Sequence, residues 1–159
     1  MKKLMLTLVF MCAAAMMVNA QDLSSLSTAA RLAYDELATQ GYRPYVDEDG
    51  DVSFKAQGYY FYVQNSSDDT YLRIIMPEIE IVDTEDILET YCALSACNEI
   101  CRDKKLVKAY LNNNNSVSLS VATYIDETPQ LSDYIETALD FLIRSRASWI
   151  EAFNEYMED

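Results

Sequence analysis

Histidine is absent from this chain of 159 residues, and glycine and proline occur only 3 times each. Without histidine the chain lacks the commonest general base and metal ligand, which excludes the usual hydrolase triads and a zinc site completed by imidazole. Basic residues are also scarce, with 12 against 26 acidic ones, and the net charge of −14 excludes a basic nucleic-acid interface. Half of the residues are apolar, so the composition is that of a folded globular protein.

Long hydrophobic runs are absent except near the N-terminus. Two lysines precede an apolar run over residues 4–17, and the small residue Ala20 ends the segment. This layout is typical of a secretory signal, so we expect residues 1–20 to be a signal peptide cleaved after Ala20 and the protein to be periplasmic or secreted. Residues 21–159 are expected to form a single domain without stable membrane insertion, because no second apolar run follows.

The cysteines predict neither a lipid anchor nor a disulfide framework. Cys12 follows a bulky methionine, whereas a lipoprotein signal needs a small residue there. Cys92, Cys97 and Cys101 fall in one predicted helix, where side-chain directions disfavour bridges between neighbours. We interpret these three as small buried side chains, with a redox pair or an intermolecular bridge as the alternative. No cofactor and no metal site are predicted.

Hydrophobic periodicity and turn residues divide the domain into helices and strands. Helical spacing predicts a first helix over residues 23–40, a second over 84–103 and a long last helix that starts at Thr128-Pro129. Period-two alternation predicts strands over 42–47, 51–56, 59–64, 71–76, 106–111 and 117–124. The order α-ββββ-α-ββ-α with short connections predicts an α+β fold, in which the helices pack mostly on one face of a mainly antiparallel sheet.

The second predicted helix has an apolar stripe that we expect to face the core. The stripe consists of Ile87, Tyr91, Leu94 and Cys101. Asn98 lies within it, so its amide would need hydrogen bonds from nearby backbone or, as the alternative, from a ligand. Asp83-Thr84 is expected to cap the start of this helix.

Strand alternation gives the predicted sheet two chemically different faces. The face expected to meet the helices carries Val52, Phe54, Phe61, Val63, Leu72, Ile74, Val117, Leu119 and Val121. The opposite face then carries Tyr45, Lys55, Tyr60, Tyr62, Arg73, Ile75, Lys108, Tyr110 and Tyr124. Tyrosine and arginine are the usual anchors of interfaces, so we interpret all of these except Ile75 as a candidate partner-binding surface. The alternative is that tyrosine simply suits strands.

An acidic segment, Asp47-Glu48-Asp49-Gly50-Asp51, resembles part of a calcium loop. The first and last ligand positions of such a loop would fall on Tyr45 and Ala56, which do not supply the required oxygens. Asp49-Gly50 is instead typical of a tight hairpin turn.

Several short segments, together with the order of the elements, resemble the YbjN family, also known as bacterial sensory transduction regulators. The resembling segments are Gly41-Tyr42, residues 46–52, residues 58–63, Tyr71-Leu72-Arg73, Asn98-Glu99, residues 105–108 and the long final helix. The resemblance covers nearly all of the chain after the signal segment. It implies the fold of type III secretion chaperones and a small non-enzymatic domain that binds or regulates other proteins, and it brings no catalytic residues with it.

These observations together predict a binding domain rather than an enzyme. The expected partner is another protein or a second copy of the chain, docked on the tyrosine-bearing face or on the last helix. A glycan-binding accessory protein of the cell envelope is the alternative, because tyrosine rings also stack on sugars.

Overall fold

A computed structural model describes residues 23–125 and 131–158. The predicted signal peptide and the predicted helix start at Thr128-Pro129 lie outside the described residues. In chain order the elements are α1 (Thr28–Thr39), β1 (Tyr45–Val46), β2 (Val52–Ala56), β3 (Tyr59–Val63), β4 (Tyr71–Ile81), α2 (Ile87–Asp103), β5 (Val107–Leu111), β6 (Ser116–Tyr124) and α3 (Leu131–Glu158). This order confirms the predicted α+β fold.

The strands form one antiparallel sheet in the order β1-β2-β3-β4-β6-β5. All nine alternating apolar residues predicted to face the helices are buried, which confirms the predicted parity. Trp149 of α3 is fully buried against them, stacks on Phe153 at 5.0 Å and donates its indole N–H to the Cys97 sulfur at 3.3 Å. The core therefore lies between the sheet and the helical layer.

Several element boundaries differ from the prediction for local reasons. Helix α1 begins later than expected because the Ser27 hydroxyl caps it, accepting the backbone N–H of Ala30. Strand β4 continues past Pro77 to Ile81, since a register shift between Met76 and Glu80 removes Pro77 from the regular ladder. A bulge of this kind tolerates a residue that has no N–H to donate.

Helix α2 turns a different face to the core from the one predicted. Its buried residues are Cys92, Ala93, Ala96, Cys97 and Ile100. Ile87, Tyr91 and Leu94 are 84, 65 and 49 % exposed, so the expectation that they face the core was wrong. The helix packs against α3 and β5, and small side chains allow the backbones to approach closely there.

Because α2 buries a different face from the one predicted, the predictions for its polar residues and its N-terminal cap change as well. Asn98 and Cys101 are exposed, so Asn98 is not a core amide and Cys101 is not a buried thiol, whereas Cys92 and Cys97 are buried as predicted. The helix is capped by Asp86 rather than by Asp83-Thr84, and the Asp86 carboxylate accepts the backbone N–H groups of Leu88 and Glu89 at 2.8 and 3.3 Å.

Within residues 23–125 and 131–158, no helix combines the length and the apolar character that a membrane span needs.

Candidate binding face

The side of the sheet opposite the buried apolar residues is called the outer face below. The strand register places Tyr62 opposite Ser53 on one side and Ile75 on the other, and Ile75 opposite Ser120. Tyr45 and Lys108 extend this row to the two edge strands. The six side chains therefore cross the whole sheet in one line on one face, as the predicted parity requires.

Three of the predicted residues meet at the centre of the outer face. The Arg73 guanidinium lies 5.2 Å from the centre of the Tyr110 ring and donates hydrogen bonds to the Ser120 hydroxyl at 3.1 Å and to the Gln64 side-chain oxygen at 3.4 Å. Burial raises the pKa of Tyr62, and the neighbouring Tyr110 and Asp51 add to the rise, whereas Arg73 opposes it. The centre is thus a neutral phenol beside an oriented cation.

A buried layer lies beneath this centre. Ile75, Ser118 and Ser120 are buried although they point to the outer face. Ile75 was predicted to lie on this face, and it does, but as part of the layer beneath rather than of the accessible surface. The Asn112 amide donates a hydrogen bond to the Ser118 hydroxyl at 2.7 Å, so polar contacts also hold this layer together.

The remaining predicted residues lie around the centre and are open to solvent. The Lys55 ammonium is 4.4 Å from the centre of the Tyr60 ring, which is 59 % exposed. Tyr124 is 67 % exposed and packs edge-on against Tyr71, with their ring centres 5.5 Å apart. Tyr45 and Lys108 are exposed on the edge strands. The outer face therefore offers exposed rings on more than one side of the central arginine.

Two residues of the face were missed by sequence analysis. Tyr71 is the register partner of Tyr124, and Gln64 accepts a hydrogen bond from Arg73. Strand parity carried the signal for both, because Tyr71 is two residues from Arg73 and Gln64 is two residues from Tyr62. Both stand at strand ends, where the alternation of the sequence is least informative.

The acidic segment forms the turn between β1 and β2, as predicted. The Asp47 carboxylate accepts the backbone N–H groups of Asp49 and Asp51 at 3.1 and 3.0 Å and the Ser53 hydroxyl at 2.6 Å. Gly50 has a φ of +85°, which explains the glycine at that position. In the part of the chain that the structure describes, no group of three or more potential metal ligands is gathered.

Helix α2 leaves a second surface exposed, because it turns its smaller side chains to the core. Four apolar residues of its first two turns are exposed, and we call them the α2 strip: Ile87, Leu88, Tyr91 and Leu94. Exposed apolar side chains gathered on one surface commonly mark a contact site. This surface was not predicted from the sequence, because Ile87, Tyr91 and Leu94 have the spacing of an ordinary core-facing stripe.

The chain is similar to known proteins in its structure. No protein-family model and no curated protein matches the chain. An uncharacterized protein from Methanothermobacter thermautotrophicus aligns with a TM-score of 0.57 at 14 % identity, covering 80 % of this chain and 97 % of its own. The HopA1–SchA chaperone–effector complex aligns with a TM-score of 0.54 at 11 % identity, with coverages of 76 and 91 %. YbjN from E. coli aligns with a TM-score of 0.50 at 14 % identity, with coverages of 76 and 88 %.

The chain has the fold seen in YbjN and in the HopA1–SchA chaperone–effector complex. This confirms the fold that the resemblance implied. At such low identity the similarity establishes the fold alone, so function has to be argued from the surfaces of this chain.

Proposed function

We propose that this protein is an exported, non-enzymatic domain that binds a protein partner on its outer face. The observation that carries the proposal is the central group of Tyr62, Arg73 and Tyr110, surrounded by the exposed rings of Tyr60 and Tyr124. Tyrosine and arginine are enriched where interfaces gain most of their affinity. The structural neighbour SchA is seen in complex with an effector, which supports a protein as the partner.

The proposed mechanism is burial of rigid rings around an oriented cation. A tyrosine ring brings a large contact area at a small loss of side-chain freedom. Arg73 is held by Ser120 and Gln64 before any partner arrives, so little ordering is required on binding. Lys55 and Lys108 flank the rings and would orient the carbonyl or carboxylate groups of the partner.

The decisive experiment replaces two neighbouring rings. Tyr60→Ala combined with Tyr62→Ala should reduce partner recovery from an envelope extract by about 30-fold or more, the effect of losing an interface hot spot. Tyr91→Ala removes an equally exposed ring from α2 and should leave recovery unchanged. Tyr124→Ala removes a 67 % exposed ring from the same face and should also reduce recovery. This variant separates lost binding from a fold defect, which replacement of the half-buried Tyr62 could cause. Unchanged recovery with both the double variant and Tyr124→Ala would refute the outer face as the binding site.

Glycan binding is the alternative function for the same face. Exposed rings such as Tyr60 and Tyr124 are suited to stacking on sugars. A glycan-array signal that disappears in the double variant, without any protein partner, would favour this alternative.

Export is the second part of the proposal and rests on the apolar N-terminal segment. Expressed in a bacterial host, the full chain should be recovered from the periplasm or the medium with Gln21 as its first residue. N-terminal sequencing measures this directly, and recovery of an intact N-terminus in the cytoplasm would refute it.

A second copy of the chain is the partner we propose for the α2 strip. Ile87, Tyr91, Leu94 and Asn98 follow one another at spacings of four, three and four residues, which is the seam spacing of a coiled coil. The next position in the series, Cys101, instead turns its sulfur to β5, where it accepts the Ala109 backbone N–H at 3.3 Å. A single asparagine in such a seam favours one register over others. The last helix, predicted as a surface for self-association, exposes only Phe141 and Met157 among its described large apolar residues.

The charges of α2 favour an antiparallel arrangement of the two copies. Glu85, Asp86 and Glu89 lie at its N-terminal end. Lys104 and Lys105 follow its last turn, in which Arg102 is paired with Asp103. Antiparallel pairing places unlike charges together and opposes the two helix dipoles. Leu94 then lies close to the two-fold axis, opposite its own copy.

A further inference from the structure

A cleft on the helical side of the sheet is separate from both surfaces described above. It has a volume of about 550 Å³ and lies between α3 and the connection from α2 to β5. Its lining includes Leu106, Val107, Phe141 and Ser145, with Lys105 and Arg144 at the opening. This volume is within the range of small-molecule sites in proteins, about 300–1,000 Å³.

The wall of the cleft is largely apolar but contains one buried hydroxyl. Leu106 is 62 % exposed and Phe141 is 37 % exposed, so two large apolar side chains are left in contact with water there. Ser145, which is 2 % exposed, also lines the cleft. Its hydroxyl is a polar group among mainly apolar lining residues.

The opening of the cleft is positively charged although the protein is strongly acidic. Of the 12 basic residues of the chain, Lys104, Lys105 and Arg144 gather here. The nearby carboxylates of Asp103 and Asp140 are each paired with an arginine, at 2.8 Å to Arg102 and Arg144 respectively. Lys104 and Lys105 have no ion-pair partner within residues 23–125 and 131–158.

Lys104 also borders an acidic depression on its other side. That depression is lined by Glu99, Glu151 and Glu155. Lys105 and Arg144 therefore belong to the cleft alone, and because Arg144 is shared with Asp140, Lys105 is the cation most available to an incoming anion.

We propose that this cleft binds an amphipathic carboxylate, an aliphatic chain that ends in a single carboxylate group. The chain would lie against Leu106, Val107 and Phe141, and the carboxylate would contact Lys105 with Lys104 beside it. Lysine ammonium groups act as compact point charges, which suits a single carboxylate at an open rim. The proposal is independent of the outer face and of the α2 strip.

The test compares three ligands that share a ten-carbon chain but differ in charge. Decanoate, 1-decanol and decyltrimethylammonium are titrated below micelle-forming concentrations, and binding is followed by calorimetry and by amide chemical shifts. Decanoate should bind about ten-fold more tightly than decanol, since each exposed ion pair is worth a factor of about two to five. The shifts should centre on Leu106 and Phe141.

Matched variants locate the site. Lys104→Gln with Lys105→Gln should remove the preference for decanoate over decanol, and Phe141→Ala should weaken both ligands. Lys55→Gln with Lys108→Gln makes the same change of charge on the outer face and should alter neither. Equal binding of all three ligands, binding unaffected by Phe141→Ala, or no binding at all would overturn the proposal.

Discussion

Cys97 shows at the scale of one residue how burial selects a protonation state. Its thiol lies in the core beneath Trp149, whose indole N–H donates to the sulfur at 3.3 Å. Burial raises the pKa of Cys97 to about 11, the Trp149 hydrogen bond lowers it, and the neighbouring Cys101 raises it further. The folded protein therefore holds a neutral thiol, which is the state expected of a cysteine that serves as a small core side chain.

Alkaline pH should destabilise the fold through this thiol. Between pH about 9 and about 11 the unfolded chain releases the Cys97 proton while the folded chain keeps it, so the free energy of unfolding falls as pH rises. Cys97→Ala should flatten this decline by no more than about 1.4 kcal/mol per pH unit. Urea midpoints from pH 7 to 10.5 measure the slopes, and identical slopes for both proteins would contradict the assignment.

Trp149 should contribute more to stability than any exposed ring. It is fully buried and stacks on Phe153, so Trp149→Ala should lower the free energy of unfolding by about 3–5 kcal/mol. Tyr60→Ala, which removes a 59 % exposed ring from the outer face, should change it by less than about 1 kcal/mol. Unfolding is followed by far-ultraviolet circular dichroism, because the substitution removes the chain's 1 tryptophan and with it the tryptophan fluorescence signal. A loss below about 1 kcal/mol would contradict the packing described.

At the scale of elements, the strands were predictable because a strand leaves little ambiguity about its faces. Alternate residues point to opposite sides, so Phe54 and Phe61 on one side place Lys55 and Tyr60 on the other. A helix with two apolar faces leaves a choice, and α2 has both Tyr91 and Leu94 on one face and Ala93 and Ala96 on the next. Periodicity favoured the larger residues, whereas packing against α3 and β5 selected the smaller ones.

The start of α2 gives an independent test of that element. Asp86→Ala removes the carboxylate that accepts the Leu88 and Glu89 N–H groups, and it should cost about 1 kcal/mol of stability. Thr84→Ala changes the residue that the sequence suggested as a cap and should be neutral. Denaturant midpoints of the two variants compare them directly, and the reverse order would place the helix start two residues earlier.

At the scale of the whole molecule, the described residues offer three separate surfaces. The outer face contains Arg73 and its surrounding rings, the α2 strip contains Tyr91 and Leu94, and the cleft lies beside Phe141. The outer face was predictable because it follows from strand parity alone. The α2 strip and the cleft depend on how α2 packs against the rest of the fold, which local sequence patterns do not determine.

Separate surfaces allow the copies to pair through α2 while the outer faces remain open to a partner. Leu94→Glu should convert the proposed dimer to a monomer, because it places two carboxylates at the two-fold axis in an apolar seam. Light scattering after size-exclusion chromatography measures the mass. Tyr60→Ala combined with Tyr62→Ala should leave the dimer intact, and the opposite pattern would move self-association to the outer face.

The antiparallel arrangement has its own signature in cross-linking. In a Cys101→Ser background, Leu94→Cys should form an intermolecular disulfide under mild oxidation, since Leu94 lies opposite its own copy at the two-fold axis. The native exposed Cys101 should not bridge to its counterpart, because antiparallel copies place it opposite Ile87. Efficient bridging of native Cys101 in addition to Leu94→Cys would instead require the two helices to run parallel, which places the acidic N-terminal ends of α2 side by side.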